Sequence, residues 1–341
     1  MDQPRMIRWS FHVATWKPTP ELIQTLLTKI PAHERTKIKR FRFPMDARRA
    51  LIGQLIARAA VMALIPAPSR EKWADVKVER DKYGKPFLSF PDIPHLLFNI
   101  SHHGDWVIVA AGYGSQLGVD VSRFEKPTNE TLDEYFAAFD EIFTPNEWGY
   151  INGETTQEGD GGRKRSARAE MLRKHTLNAE RLRRFVTLWA LKESFVKAIG
   201  IGLGLDLMRV EFCVKDADKN DAAPGHALHD DIAATPHITV SLDNIPQAQY
   251  TFHMSYLDSY HPAAYCYLPV SDNHTSEDTA VGSSGNDGRN AKDGNMMSVD
   301  HRVNGRGEGM GLGEDDSKAC AGFREMSWEE LSVRIEACER G

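Results

Sequence analysis

The sequence predicts an α+β fold, and three patterns along the chain indicate it. Apolar and polar residues alternate over 7–16, as in a half-buried strand. Two apolar runs, Leu96–Ser101 and Trp106–Ala111, flank a short polar turn and predict paired strands. A helical pattern at Phe185–Ile199 is followed by further strand candidates. The order strand, helix, strands, then helix and strands again predicts two similar halves.

The halves are expected at residues 1–115 and 116–270. The stretch 152–180 is polar, charged and glycine-containing, which predicts a mobile insertion in the second half. From residue 271 to 341 the chain holds 11 of its 26 glycines and few aromatic residues, which predicts a disordered tail. Only 327–338 has the pattern of a short amphipathic helix, and a helix of that length is marginal on its own.

Composition excludes several classes of protein. The formal net charge of −6 is not that of a nucleic-acid binder. The four cysteines show no C-x-x-C spacing, so neither a zinc site nor a disulfide framework is predicted. The N-terminus lacks the apolar segment of a signal peptide, and no apolar run reaches membrane-spanning length. A cytoplasmic protein without a membrane partner is therefore expected.

One basic segment stands out in this acidic chain. Residues 31–50 hold seven arginine or lysine residues and only two acidic ones. Such a cluster is usually a solvated face or a nucleic-acid patch, but it also suits a ligand that carries several phosphates. The candidates for phosphate contacts are Lys37, Lys39 and Arg49, together with Lys85 further along the chain.

Three charged residues in the second half could form a site. Glu193 and Lys197 lie one turn apart on one face of the predicted helix, where an ordinary solvated ion pair is the simplest interpretation. Asp120 interrupts an apolar strand, where a carboxylate is costly unless it caps a turn, pairs with a base or holds a cation. Asp120 and Glu193 together supply two hard oxygen ligands of the kind that Mg²⁺ accepts.

Ser101 and His102 lie where a predicted strand meets its turn. The turn could be a plain surface loop, or its hydroxyl and imidazole groups could donate to a phosphate oxygen. A metal shared by His102 and His103 is not expected, because neighbouring side chains on a strand point to opposite faces.

These motifs resemble those of the 4′-phosphopantetheinyl transferase family, in particular its larger, monomeric branch. A G-V/I-D strand followed some dozens of residues later by a W-x-x-K-E-S-x-x-K helix is typical of that family. The resemblance spans roughly residues 5–270. It is carried by Gly118-Val119-Asp120, Trp189 to Lys197, Asn99-Ile100-Ser101-His102, Gly84-Lys85-Pro86, Arg49 to Gly53 and Phe143 to Glu147.

The resemblance implies two similar α/β halves with coenzyme A in the cleft between them. It implies transfer of 4′-phosphopantetheine from coenzyme A to a carrier-protein serine, with release of adenosine 3′,5′-bisphosphate. By motif, Asp120 and Glu193 hold Mg²⁺, and Lys197 contacts the phosphates and the leaving group. Contacts to coenzyme A fall to Ser101, His102, Arg49, Lys85 and either Lys37 or Lys39.

Three further points follow from the resemblance. Glu193 and Glu147 are both candidates for the base that accepts the serine proton. Some members carry a second acid two residues after the aspartate, and here that position is Ser122. Expected partners are apo carrier proteins of fatty-acid, polyketide, peptide-synthetase or aminoadipate-reductase systems, and nucleic acid is not expected. A non-catalytic module of the same fold, which binds coenzyme A or a carrier protein, is the alternative.

Overall fold

The structure is a computed structural model. It describes residues 6–65, 73–125, 129–154, 167–215, 238–270 and 322–340. They belong to one compact unit, Met1–Val270 with Cys320–Gly341, whereas a second unit, Ser271–Ala319, lies outside the described residues. No helix in the described ranges combines the length and apolar character needed to cross a bilayer.

The N-terminal half is a sheet covered on one side by a long helix. Its antiparallel strands have the spatial order β1, β5, β4, and β2 and β3 form a separate hairpin. The helix α3 packs on β4 and β5 through its buried aliphatic side. The elements are β1 (Ile7–His12), α1 (Pro20–Thr28), α2 (Ala32–Ile38), α3 (Pro44–Leu64), β2 (Lys77–Arg80), β3 (Pro86–Phe90), β4 (Leu96–His103) and β5 (Trp106–Tyr113).

The C-terminal half repeats this plan. Its antiparallel sheet has the order β10, β11, β6, and the long helix α6 packs across β6 and β11. The elements are β6 (Gln116–Val121), α4 (Leu132–Ala137), α5 (Pro145–Asn152), α6 (Ala167–Ile199), β7 (Val210–Val214), β8 (Ile238–Leu242), β9 (Ile245–Pro246), β10 (Thr251–Asp258) and β11 (His261–Leu268). The predicted α+β fold of two halves is confirmed.

The two halves meet where β4 and β5 lie against β6. One buried cluster joins Trp106 and Ile108 of β5 to Val119 of β6 and Tyr265 of β11. The amide side chain of buried Asn99 on β4 crosses this seam, and its Oδ1 accepts a 2.9 Å hydrogen bond from the backbone N–H of Val119. Apolar burial and a satisfied polar bridge therefore hold the halves together.

The helix α6 begins earlier than predicted. Residues 167–180, which the sequence analysis placed in a mobile insertion at 152–180, are the first turns of α6, and 155–166 lie outside the described residues. These turns are charged and lack an apolar stripe, so the pattern that revealed 185–199 was missing there. Arginine and glutamate pairs such as Glu180 with Arg184, 3.2 Å apart, support a helix without such a stripe.

The end of the chain returns to the N-terminal half. Strand β12 (Arg324–Glu325) pairs in parallel with β1, and helix α7 (Trp328–Arg340) packs on α3. Leu331 and Ile335 of α7 are fully buried in the N-terminal core. The sequence predicts disorder for residues 271–325. Residues 271–321 lie outside the described residues, but the last two residues of this segment form β12.

Candidate active site

The close packing of α6 on β6 brings the site together. A Cβ atom at Gly118 would lie 2.1 Å from the Ser194 carbonyl oxygen and 2.4 Å from the Ala198 backbone nitrogen. Only glycine allows the helix backbone to come this close to the strand. Asp120 follows Gly118 on the strand by two residues, and Glu193 and Lys197 lie on the same stretch of α6, so all three functional side chains converge.

Asp120 is buried and its carboxylate is fully engaged. Its Oδ1 accepts hydrogen bonds from Ser101 Oγ at 2.9 Å and from Lys197 Nζ at 2.6 Å. Its Oδ2 accepts a 2.8 Å hydrogen bond from Ser122 Oγ. The buried carboxylate thus has the partners that an ionised group needs away from water, and its orientation is fixed by both halves.

Glu193 lies next to this group. Burial of the Glu193 carboxyl raises its pKa above the usual value, and the negative charge of Asp120 raises it further, while Lys197 partly offsets both effects. Glu193 also lies one helical turn before Lys197, whose Nζ contacts Asp120 Oδ1 at 2.6 Å, so the two carboxyl groups lie near each other. Asp120 and Glu193 are far apart in the chain, but the fold brings them into one acidic site.

The donor set suits Mg²⁺. A magnesium ion takes one or two protein carboxylates and completes its shell with water and phosphate oxygens. The Lys197 ammonium on Asp120 shows that the site attracts positive charge. Within the described ranges no cluster of three or more His, Cys, Asp or Glu side chains converges as a metal site.

Ser122 has a positioning role that the sequence analysis did not assign. It stands two residues beyond Asp120, and its buried hydroxyl donates to Asp120 Oδ2. Residues two apart on a strand share a face, and this spacing is the signal that could have found the contact. Here the position holds a hydroxyl that orients the first acid in place of a second carboxylate.

The β4–β5 turn lies beside the acidic group and carries cationic neighbours. Arg49 on α3 donates from Nε to the Gly104 carbonyl oxygen at 2.6 Å, and its Nη1 pairs with Asp46. Desolvation lowers the pKa of His102, and the charges of Arg49 and Lys197 lower it further. Ser101 contacts Asp120 directly, whereas His102, the next residue on the strand, interacts electrostatically with Arg49 and Lys197. The roles of His102 and Arg49 stay predictions.

Lys85, in the β2–β3 hairpin, contacts the C-terminal end of α6. Its Nζ donates to the Ala198 carbonyl oxygen at 2.7 Å, close to the last turn of α6. Burial lowers the pKa of Lys85 to about 8, although the charge of Asp81 opposes this shift. The contact links a hairpin of the N-terminal half to the helix that carries Glu193 and Lys197.

The two early lysines are not connected to this group by any contact described for residues 6–65. Lys37 extends from α2 into solvent, and its Nζ lies 3.5 Å from Glu34 Oε1. Lys39 caps the same helix and is also exposed. Their assignment to coenzyme A stays a prediction.

Glu147 occupies a different environment from the one expected of a base. It is fully buried in α5, where Oε2 accepts from the Thr144 backbone N–H and lies 2.8 Å from Lys192 Nζ, and Oε1 accepts from the Phe212 N–H at 2.9 Å. Lys192, also fully buried, was not singled out from the sequence. Because both Glu147 oxygens have partners inside the core, the geometry favours a structural ion pair with Lys192, and the role of Glu147 as a base stays a prediction.

Two protein-family models match this chain, one in each half. Residues 14–114 match the model described as 4′-phosphopantetheinyl transferase, N-terminal, and residues 116–264 match that of the 4′-phosphopantetheinyl transferase superfamily. The boundary between the two models falls at the boundary between the two halves. With these matches, the chain belongs to the 4′-phosphopantetheinyl transferase family, and the predicted enzyme class is confirmed.

Individual relatives agree with this assignment. The chain is 32% identical to a phosphopantetheinyl transferase of Thraustochytrium over 274 residues, which is 80% of this chain and 81% of that protein. It is 31% identical to the human L-aminoadipate-semialdehyde dehydrogenase-phosphopantetheinyl transferase, over 75% of this chain and 72% of that protein. A Bacillus subtilis 4′-phosphopantetheinyl transferase is 32% identical over 53% of this chain and 65% of that protein.

Proposed function

We propose that this chain moves 4′-phosphopantetheine from coenzyme A to a serine of an apo carrier protein, with Mg²⁺ held by Asp120 and Glu193. The observation that supports it most is the convergence of these two carboxylates with Lys197 beside a cationic turn. A non-catalytic binding module would not need a buried acidic pair together with an ammonium group. Coenzyme A, with three phosphate groups, needs the surrounding cations.

The proposed chemistry is an in-line phosphoryl transfer. The carrier serine Oγ forms a bond to the β-phosphorus of coenzyme A, and the bond from that phosphorus to the bridging oxygen breaks. Adenosine 3′,5′-bisphosphate leaves with that oxygen. Because positioning and charge stabilisation dominate such reactions, the role of the chain is to orient the diphosphate and neutralise its developing charge.

Each residue has a role that its position supports. Bound Mg²⁺ would supply Lewis-acid stabilisation of the diphosphate oxygens. Glu193 takes the serine proton directly or through a water. Lys197 meets the leaving α-phosphate. Ser101 and His102 donate to the phosphates, and Arg49 and Lys85 hold the 3′-phosphate side of the cofactor.

The carrier protein is expected to dock near the basic segment. Phe41 and Phe43 are exposed beside Arg40 and Arg42, just before α3 begins and close in sequence to Arg49. Carrier proteins present an acidic helix next to their serine in the proposed reaction, so this surface has the complementary charge. The name of the human relative favours a carrier domain of an aminoadipate-semialdehyde dehydrogenase as the first partner to test.

Intact-mass measurement tests the reaction. Apo carrier domains of the aminoadipate, fatty-acid, polyketide and peptide-synthetase types are incubated with coenzyme A and Mg²⁺. A gain of one phosphopantetheine on a serine is the expected result for at least one carrier. Coenzyme A binding without any gain on any carrier would favour the binding module.

Two isosteric variants test the assignment of the base. Glu193→Gln should lower kcat by about 100-fold or more, since it removes the proton acceptor and one charged Mg²⁺ ligand, while the fold is kept. Glu147→Gln is the matched control, because it breaks the buried pair with Lys192. It should lower the melting temperature yet leave kcat of the folded enzyme within about twofold. The reverse pattern would return the base role to Glu147.

A further inference from the structure

A buried histidine of the C-terminal half lies against the β4–β5 turn. His261, at the start of β11, is 2% exposed. Its Nδ1 lies 2.8 and 2.9 Å from the two carboxylate oxygens of Asp258, three residues earlier. An ionised carboxylate only accepts hydrogen bonds, so Nδ1 carries a proton that it donates to Asp258. Nε2 is buried and has no protein partner among the described residues.

Several hydrogen-bond donors fix the position of the Asp258 carboxylate, and the carboxylate in turn orients His261. Its Oδ2 accepts from Trp106 Nε1 at 2.8 Å, across the seam between the halves, and its Oδ1 accepts from the Tyr260 backbone N–H at 2.7 Å. Trp106 begins β5, directly after the turn, and stacks on His12 at 4.5 Å between ring centroids. The pair Asp258–His261 is therefore attached through Trp106 to β5, the strand that follows the turn.

The free edge of the imidazole faces Gly104. A Cβ atom at Gly104 would lie 2.3 Å from His261 Nε2 and 3.1 Å from Arg123 Cδ, and Gly104 has φ of +55°. No other residue type fits this position without moving the ring or the turn. The Gly104 carbonyl oxygen, in turn, accepts the 2.6 Å hydrogen bond from Arg49 Nε. A continuous set of contacts therefore runs from Asp258 through His261 and Gly104 to Arg49.

We propose that the Asp258–His261 pair is a positioning device that seats the β4–β5 turn and so fixes the Arg49 guanidinium toward coenzyme A. The inference rests on the role proposed for Arg49 at the 3′-phosphate. His261 does not touch the substrates; it acts by packing against Gly104, whose carbonyl oxygen accepts the hydrogen bond from Arg49. An arginine fixed in advance loses less side-chain freedom when it binds a phosphate, which improves cofactor affinity more than turnover.

His261→Asn tests the proposal, since the asparagine amide can still donate to Asp258 but no longer reaches Gly104. The expected result is a rise in KM for coenzyme A of about tenfold with kcat within about twofold. The preference for coenzyme A over 3′-dephospho-coenzyme A, measured as the ratio of kcat/KM values, should fall by a similar factor. His253→Asn is the matched control, because His253 lies in the same sheet, where it stacks on Tyr265 of β11 at 5.0 Å between ring centroids.

A double-mutant cycle separates this route from a general loss of stability. Arg49→Met should remove the preference for the 3′-phosphate directly, and His261→Asn in that background should lower the preference no further.

Gly104→Ala, which displaces the turn from the other side, should reproduce the effect of His261→Asn even if the latter folds poorly. Either variant keeping normal KM and preference would overturn the proposal, as would additive effects with Arg49→Met. Inactive wild-type protein, or an unchanged preference in Arg49→Met alone, would instead point to a failure of the proposed function.

Discussion

At the scale of single residues, Gly118 decides whether the site exists. An alanine methyl group there would overlap the Ser194 carbonyl oxygen and the Ala198 nitrogen, both backbone atoms that cannot rotate away. We expect Gly118→Ala to cost more than about 3 kcal/mol in the free energy of unfolding, because it overpacks the β6–α6 contact. Transferase activity should be lost in any fraction that still folds, since α6 would carry Glu193 away from Asp120. Chemical denaturation and the intact-mass assay measure the two effects.

Gly149 provides the comparison for that prediction. It lies inside α5, where the nearest atom to an added Cβ is Glu154 Oε2 at an ordinary 3.5 Å. Gly149→Ala should leave activity unchanged and raise stability by up to about 1 kcal/mol, because alanine favours a helix over glycine. Equal stability of the two variants would contradict the importance of the close approach.

If Lys85 contacts coenzyme A as proposed, binding of the cofactor should depend on pH. Burial lowers its pKa to about 8, so the ammonium is charged below that pH and becomes neutral above it. We expect kcat/KM for coenzyme A, which reports the free enzyme, to fall as pH rises through about 8. Lys85→Arg keeps its positive charge over this pH range, so its kcat/KM should fall less steeply. Because the coenzyme A thiol titrates equally with both proteins, the comparison also controls for that titration. An identical profile in both proteins would exclude Lys85 as the titrating group.

Sequence reasoning could single out the candidate site residues because their motifs are local. Asp120 and Glu193 each stand in a distinctive string, and a carboxylate between two valines by itself indicates that a partner is needed. The partners themselves are not local: His261 meets Gly104 only because β11 lies beside β6. The same limit explains Glu147, whose motif was recognised while its buried partner Lys192 was passed over.

At the scale of elements, the C-terminal segment is part of the N-terminal core. Its helix was hard to predict because an isolated 13-residue amphipathic helix is marginal, and its stability comes from contacts with α3 more than 260 residues earlier. Trp328 packs on Trp16 at 5.2 Å between ring centroids, and Lys29 Nζ lies 2.6 Å from Glu339 Oε1. The segment lies outside both family models, yet it completes the sheet edge at β1.

Two substitutions within α7 test that role. Leu331→Ala removes a fully buried side chain and should lower the free energy of unfolding by about 2–5 kcal/mol. Val333→Ala, two residues away on a side chain that is 61% exposed, should change it by less than about 0.5 kcal/mol. Denaturant titration of the full chain measures both. Similar small effects would mean that α7 contributes little to the core.

At the scale of the whole molecule, the two halves should unfold together. They share the apolar cluster around Trp106 and Val119, and the buried Asn99 side chain bridges them. Asn99→Leu would leave the Val119 N–H without a partner in the core, at a cost of about 1–3 kcal/mol. A protein whose halves depend on one seam should therefore show a single calorimetric transition, which this variant shifts downward without splitting.

Coenzyme A should stabilise that single transition, because its proposed contacts come from both halves. Arg49, Lys85 and His102 belong to the first half and Lys197 to the second, so unfolding of either half destroys the site. At a concentration of about 100 times Kd, the cofactor should add about 2.7 kcal/mol to the free energy of unfolding. Arg49→Met should need more coenzyme A for the same shift, since it lacks one cationic contact. Two resolved transitions, of which coenzyme A moves only one, would show that the cofactor binds to one half and that the cleft is not shared.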